Sequence, residues 1–200
     1  ELYYKKMQNQ LDYKDGTNIN TIADVESALL YGIGRAYGFE LLAKKKMGIV
    51  SGWISYTLSK AERKIEGING GEWYNAKQDR THDISIVSIV ELNSKWSVSG
   101  VFVYYTGNAV TFPTGKYSFE GQTIYQYAKR NANRMPTYHR LDLSVTYENR
   151  NKNKRETSWN FSLYNVYGRE NAYRINFQDD PLDKTKTQII QTSLFRWVPS

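Results

Sequence analysis

The chain contains no cysteine. That excludes disulfides, thiolate metal sites and a cysteine nucleophile. Histidine is nearly absent as well, with only His82 and His139, and no acidic cluster at ligand spacing surrounds either. No run of 18 apolar residues occurs, so no segment can cross a membrane as a helix. A mean hydropathy of −0.65 with 40% apolar residues rules out a helical membrane bundle. Nucleophile motifs, phosphate loops and cofactor fingerprints are missing. The pairs Glu62/Glu66 and Asp179/Asp180 have the composition of acid–base dyads, but near loops they read as solvated charge. Nothing here points to an enzyme or to a cofactor.

What is present is aromatic and skewed: 17 Tyr and 5 Trp against 7 Phe. Tyr and Trp favour boundaries where one end of the ring is dry and the other wet. The net charge of +7 is scattered, with no basic helix or stripe, so it predicts no nucleic-acid partner. The chain opens on Glu1-Leu2-Tyr3-Tyr4, without Met, a basic n-region or an apolar h-region. The expectation is an interior piece of a longer protein.

Gly38 to Ser59 reads as two long strands around a turn at Lys46-Met47-Gly48. Phe39, Leu41 and Ala43 share one face, against Glu40, Leu42 and Lys44. On the second arm Val50, Gly52, Ile54, Tyr56 and Leu58 alternate with Ser51, Trp53, Ser55, Thr57 and Ser59. Period two is the strand signal, and each arm is about twice the usual strand length. Further strands are predicted weakly over 1–11, then near Asp79–Leu92, Lys95–Gly107, Tyr138–Asn149 and Thr157–Tyr167. Their apolar faces carry Ile84, Ile86 and Val90; Trp96, Val98, Phe102 and Tyr104; Leu141, Leu143, Val145 and Tyr147; and Trp159, Phe161 and Leu163. Residues 12–31 read as polar and irregular, with a short helical turn between Ile22 and Leu30. Lys64–Gln78 and Asn108–Thr137 read as long connections, the turn from Asn149 to Glu156 as charged, and 172–196 as an irregular hairpin around Asp179-Asp180-Pro181.

Connection lengths alternate between long and short. In an up-and-down meander that places short turns at one end and long loops at the other, as in outer-membrane barrels. Trp96 to Tyr104 and Trp159 to Tyr167 each span eight residues on the apolar face. At roughly 3.3 Å per residue and a tilt near 40°, that rise is about 20 Å, comparable with an apolar band between aromatic girdles. Trp96, Tyr147 and Trp159 then form an inner girdle, and Tyr37, Tyr56, Tyr104 and Tyr167 an outer one. The polar faces would line a lumen, with ion pairs expected at Asp79-Arg80 and Arg140/Asp142. Loop aromatics Trp73, Tyr74, Tyr117, Phe119, Tyr125 and Tyr127 are candidates to stack on an extracellular ligand or to pack the loops together. A soluble β-sandwich also has one apolar face, so a soluble extracellular β-domain binding glycan or protein stays open, as does a passive porin or adhesin barrel.

Six segments in order resemble barrel segments of TonB-dependent outer-membrane receptors of the Bacteroidetes type. They are Arg35–Leu41, Gly52–Thr57, Asp79–Asp83, Tyr105–Asn108, Arg134–Asp142 and Trp159–Tyr167. The resemblance covers most of the chain and includes receptors with a carboxypeptidase-like N-terminal domain. It implies an all-β antiparallel up-and-down meander, an open segment from the C-terminal part of a plugged barrel of about 22 strands in the bacterial outer membrane. It also implies outer-membrane lipid as a partner, import of a scarce small ligand (metal chelate, cobalamin or glycan), and drive from the TonB complex acting through a plug that this chain lacks. In that family a closing strand ends on an aromatic residue. Here the chain stops at Val198-Pro199-Ser200, so that strand is expected to be absent and both sheet edges open.

Overall fold

The computed structural model describes residues 1–15, 17, 24–120, 122–127, 129–150 and 156–200. Part of the predicted helical turn (residues 22 and 23) and most of the charged turn (151–155) lie outside them. The strands are β1 (Leu2–Tyr13), β2 (Leu29–Lys45), β3 (Val50–Ile65), β4 (Tyr74–Asn75) and β5 (His82–Glu91). They continue with β6 (Trp96–Tyr105), β7 (Ala109–Val110), β8 (Pro113–Phe119), β9 (Gln122–Tyr127) and β10 (Asn133–Arg134). The last are β11 (Tyr138–Arg150), β12 (Glu156–Tyr164), β13 (Ala172–Asp179), β14 (Thr187–Ser193) and β15 (Val198–Pro199). Among the described residues there is no α-helix, only 3-10 turns at Glu26–Ala28 and Asn69–Gly71.

The protein is all-β and its sheets are antiparallel. The largest follows the open order β1-β2-β3-β5-β6-β11-β12-β15, with β4 beside β3. Neighbours along this path follow one another up and down as the meander reading expects, with tight turns between β2 and β3 and between β5 and β6 and long connections from β3 to β5 and from β6 to β11. β2 and β3 have 17 and 16 residues and turn where predicted, with Gly48 at φ 93°. That left-handed angle suits glycine, which has no Cβ to clash. The chain divides into two compact units, and β2 and β3 pass through both.

The first unit comprises Glu1–Phe39, Leu58–Thr81 and Gly107–Met135. β1 pairs with β2 from Leu2 opposite Phe39 to Tyr13 opposite Leu29, interrupted by a bulge between Met7 and Gln10. Asn9 sits in that bulge at φ 53°. The segment read as irregular from residue 12 to 31 is therefore shorter: β1 runs to Tyr13 and β2 starts at Leu29. Asp24 caps the 3-10 turn between them, its Oδ1 accepting the Glu26 amide at 3.0 Å. The loop after β3 folds back through β4, burying Ile65, Ile68 and Tyr74 against Leu30. The long connection after β6 is an ordered hairpin, β8 with β9, closed at its base by β7 with β10.

The second unit comprises Glu40–Thr57, His82–Thr106 and Pro136–Ser200. Its strand register puts the predicted apolar positions on one face. Ile86 faces Phe102, which faces Leu141; Val90 faces Val98, which faces Val145, which faces Phe161. Directly opposed residues share a face, so the sequence alternation survives across all four strands. β13 and β14 pair from Ala172 opposite Ser193 to Asp179 opposite Thr187, with a register shift between Ala172 and Arg174 and an unbroken ladder from Arg174 onward. At the β12 edge the two-residue β15 pairs, with Leu163 opposite Pro199 and Tyr164 opposite Val198. Ser162 and Ser200 exchange both backbone hydrogen bonds at 2.8 and 2.9 Å.

Candidate functional site

In the second unit the register assembles two aromatic rows on the apolar face. Trp96 stands opposite Tyr147, and Tyr147 opposite Trp159. The Trp96 and Tyr147 rings are 4.8 Å apart and tilted by 49°. Eight residues along the same strands, Tyr104 stands opposite His139. His139 Nδ1 shares a 2.7 Å hydrogen bond with the Tyr167 hydroxyl, and His82 Nδ1 shares one of 2.9 Å with the Tyr56 hydroxyl. Both histidines of the chain thus belong to this row. Sequence reasoning missed that role, because it weighed them only as metal ligands and set that role aside. The signal was there in the period: His82 and His139 occupy the same parity as Ile84 and Leu141.

Between the rows the face is apolar and uncovered. Trp159 and Phe161 are 60% and 62% exposed, and Leu143 is exposed too. A contiguous apolar patch of this kind marks an interaction surface. On the other face polar groups pair with one another. Asn160 donates from Nδ2 to Ser144 and Thr146 hydroxyls at 2.7 and 2.8 Å. Arg140 pairs with Asp142 at 3.0 Å, as expected, and also donates to the Tyr164 hydroxyl. Asp142 Oδ1 accepts the Asn165 amide at 2.8 Å.

The fourth residue of the expected outer girdle, Tyr37, lies in the first unit, stacked on Tyr4 with centroids 6.1 Å apart. The loop aromatics divide by environment. Tyr74 is 5% exposed and donates its hydroxyl to Asp12 at 3.0 Å, so its place is the loop core rather than a ligand surface. Burial pushes its phenol above the ordinary range, and Asp12 adds to the shift. Trp73 is half-buried under the Arg35 guanidinium, 4.1 Å from the ring centre. Tyr117, Phe119 and Tyr127 are exposed on the β8–β9 hairpin, and Tyr125, opposite Lys116, is half-buried.

Two arginines fix the base of that hairpin. Arg130 pairs with Asp12 and Asp15, each at 2.7 Å, and its amide donates to Asn69 Oδ1 at 2.8 Å. Asn131 Nδ2 donates to the Asn75 carbonyl at 2.8 Å. Arg134 pairs with Asp79, which is 1% exposed and also accepts the Ala61 amide at 2.6 Å. The ion pair expected between Asp79 and Arg80 is therefore replaced: Asp79 takes Arg134, while Arg80 Nε donates to Asn108 Oδ1 at 2.8 Å. Glu62 is likewise not solvated. It is buried and held by Arg35 at 2.7 Å and Lys60 at 3.0 Å. Such long-range partners leave no periodic trace in a sequence. No family model matches the chain, and no curated protein or solved structure does.

Proposed function

We propose that this chain is part of the wall of an outer-membrane barrel, from a TonB-dependent receptor that imports a scarce extracellular ligand. The observation that carries the reading is the single apolar face of β5, β6, β11 and β12, bounded by one row of Trp96, Tyr147 and Trp159 and another of Tyr104, His139 and Tyr167. A separation of about 20 Å between the rows suits a bilayer's apolar core with aromatic rings at its borders. The opposite face carries serines, Asn160 and the Arg140–Asp142 pair beside Val87, Val101 and Val103, and its polar groups suit a wet lumen. Water there satisfies polar groups that lipid could not. A soluble β-domain would cover the apolar face with a second layer, and none packs there among the described residues. The exposed aromatics of the β8–β9 hairpin, Tyr117, Phe119 and Tyr127, are the ligand contacts under this reading.

The test is uptake by the complete receptor in cells. Import should collapse when the TonB complex is deleted or the proton gradient is discharged, while surface binding of the ligand persists. Import that continues unchanged would assign the chain to a passive porin instead.

A further inference from the structure

Cations that the sequence scatters are gathered by the second unit at the short-turn end of its strands. The β2–β3 and β5–β6 turns lie side by side there, the Glu91 amide donating to the Ile49 carbonyl at 2.9 Å. The Glu148 amide of β11 donates to the Lys95 carbonyl at 2.8 Å. Lys45, Lys46 and Lys95 are exposed on these turns. Among the described residues, no carboxylate pairs with any of the three. Carboxylates at this end have the parity of the other face. Glu91 stands opposite Ser97, Glu148 opposite Ser158 and Glu156 opposite Arg150, all out of phase with Trp96, Tyr147 and Trp159. Lys45, by contrast, alternates in step with Leu41 and Ala43 on the apolar face, and Lys46 and Lys95 sit in the turns themselves.

The same turns expose apolar side chains. Met47 is 82%, Ile49 69% and Leu92 60% exposed. In bulk water such a turn would leave three large apolar groups wet without return. At a bilayer border the combination is favourable, because the apolar groups enter the acyl boundary while lysine ammoniums stay among the headgroups. The aromatic row of Trp96 and Tyr147 begins immediately beside Lys95, so turns and row form one continuous border.

We propose that this end of the wall binds anionic phospholipid headgroups, with Lys45, Lys46 and Lys95 on the phosphates and Met47, Ile49 and Leu92 in the acyl boundary beneath them. It rests on the wall reading and names the lipid that the short-turn end selects. The experiment uses the complete receptor with Trp96 as its sole tryptophan, in phosphatidylcholine vesicles doped with equal amounts of either brominated phosphatidylglycerol or brominated phosphatidylcholine. Bromine quenches only from lipids that touch the ring, so the ratio of the two reads the enrichment of the anionic lipid. Phosphatidylglycerol should be enriched roughly two- to fivefold, as expected for a few lysines near a headgroup layer. The enrichment should vanish near 1 M salt, where the Debye length is about 3 Å. Combining Lys45→Gln, Lys46→Gln and Lys95→Gln should abolish it and leave quenching by phosphatidylcholine unchanged. Lys184→Gln, on the β13–β14 connection, should preserve it. The proposal is overturned if Trp96 is quenched equally by the two lipids, if the triple variant keeps the preference, or if Lys184→Gln removes it as fully. Absence of quenching by either lipid would instead bring down the wall reading itself, and the headgroup site with it.

Discussion

Leu143 is the position at which the membrane reading is most exposed to refutation. It stands opposite Gly100 and Leu163, and its side chain is 41% exposed. Gly100 is four residues from Trp96 and four from Tyr104, so Leu143 lies midway between the two aromatic rows. Four residues at roughly 3.3 Å and a tilt near 40° put it about 10 Å from either row. Arginine there would sit at bilayer mid-depth, where a lipid-facing cation costs about 2–4 kcal/mol. Val145→Arg, nearer the inner row, should cost less. Ser144→Arg, beside Asn160 on the polar face, should cost under about 1 kcal/mol, since its charge stays wet. The assay is reversible refolding of the complete receptor into phospholipid vesicles, titrated with urea. On a water-exposed surface, by contrast, each substitution would stay within about 0.5 kcal/mol. Equal costs for Leu143→Arg and Ser144→Arg would refute the assignment of faces.

Other consequences can be measured independently. An epitope inserted at Gly70, where a side chain would meet nothing within 4 Å, should bind antibody on intact cells; one in the tight turn at Ser94 should not. Reversed labelling would invert the topology. Asp79→Asn should destabilise the first unit by about 3–5 kcal/mol, because it leaves the Arg134 guanidinium without its anion; loss of much less would mean the pair is dispensable. The Tyr74 phenol has a raised folded pKa, so the folded state keeps that proton after the unfolded chain has lost it. Its contribution is complete below about pH 10 and falls as pH rises above that. Tyr74→Phe should remove that part of the alkaline loss of stability, and an unchanged profile would exclude Tyr74 as its source.

Much of the fold was legible because a half-buried strand writes its faces into alternate residues. Val90, Val98, Val145 and Phe161 were each assigned from their own strand, and the register then placed them side by side. The connections were less legible. Asn108–Thr137 carries two strong strand segments, but Pro113, Gly115 and the Asn-rich base obscure their ends, so the β8–β9 hairpin read as loop. The partners of Asp79, Glu62 and Asp12 were out of reach for a different reason. Each lies tens of residues away from at least one cation that holds it, and no local pattern records that closure. For Tyr74 the sequence left ligand stacking and loop packing both open; the loop turns back and packs it with Ile65, Ile68 and Leu30, which favours the second.

The most direct test of the central claim is depth-dependent quenching by brominated phosphatidylcholines in vesicles containing the complete receptor. Two versions would each keep a single tryptophan, Trp159 on the apolar face or Trp53 on the face shared with Ser55 and Thr57. The account predicts strong quenching of Trp159, greatest with bromine near the headgroup end of the acyl chain, and little quenching of Trp53 at any depth. Equal quenching of the two, or none for Trp159, would contradict it.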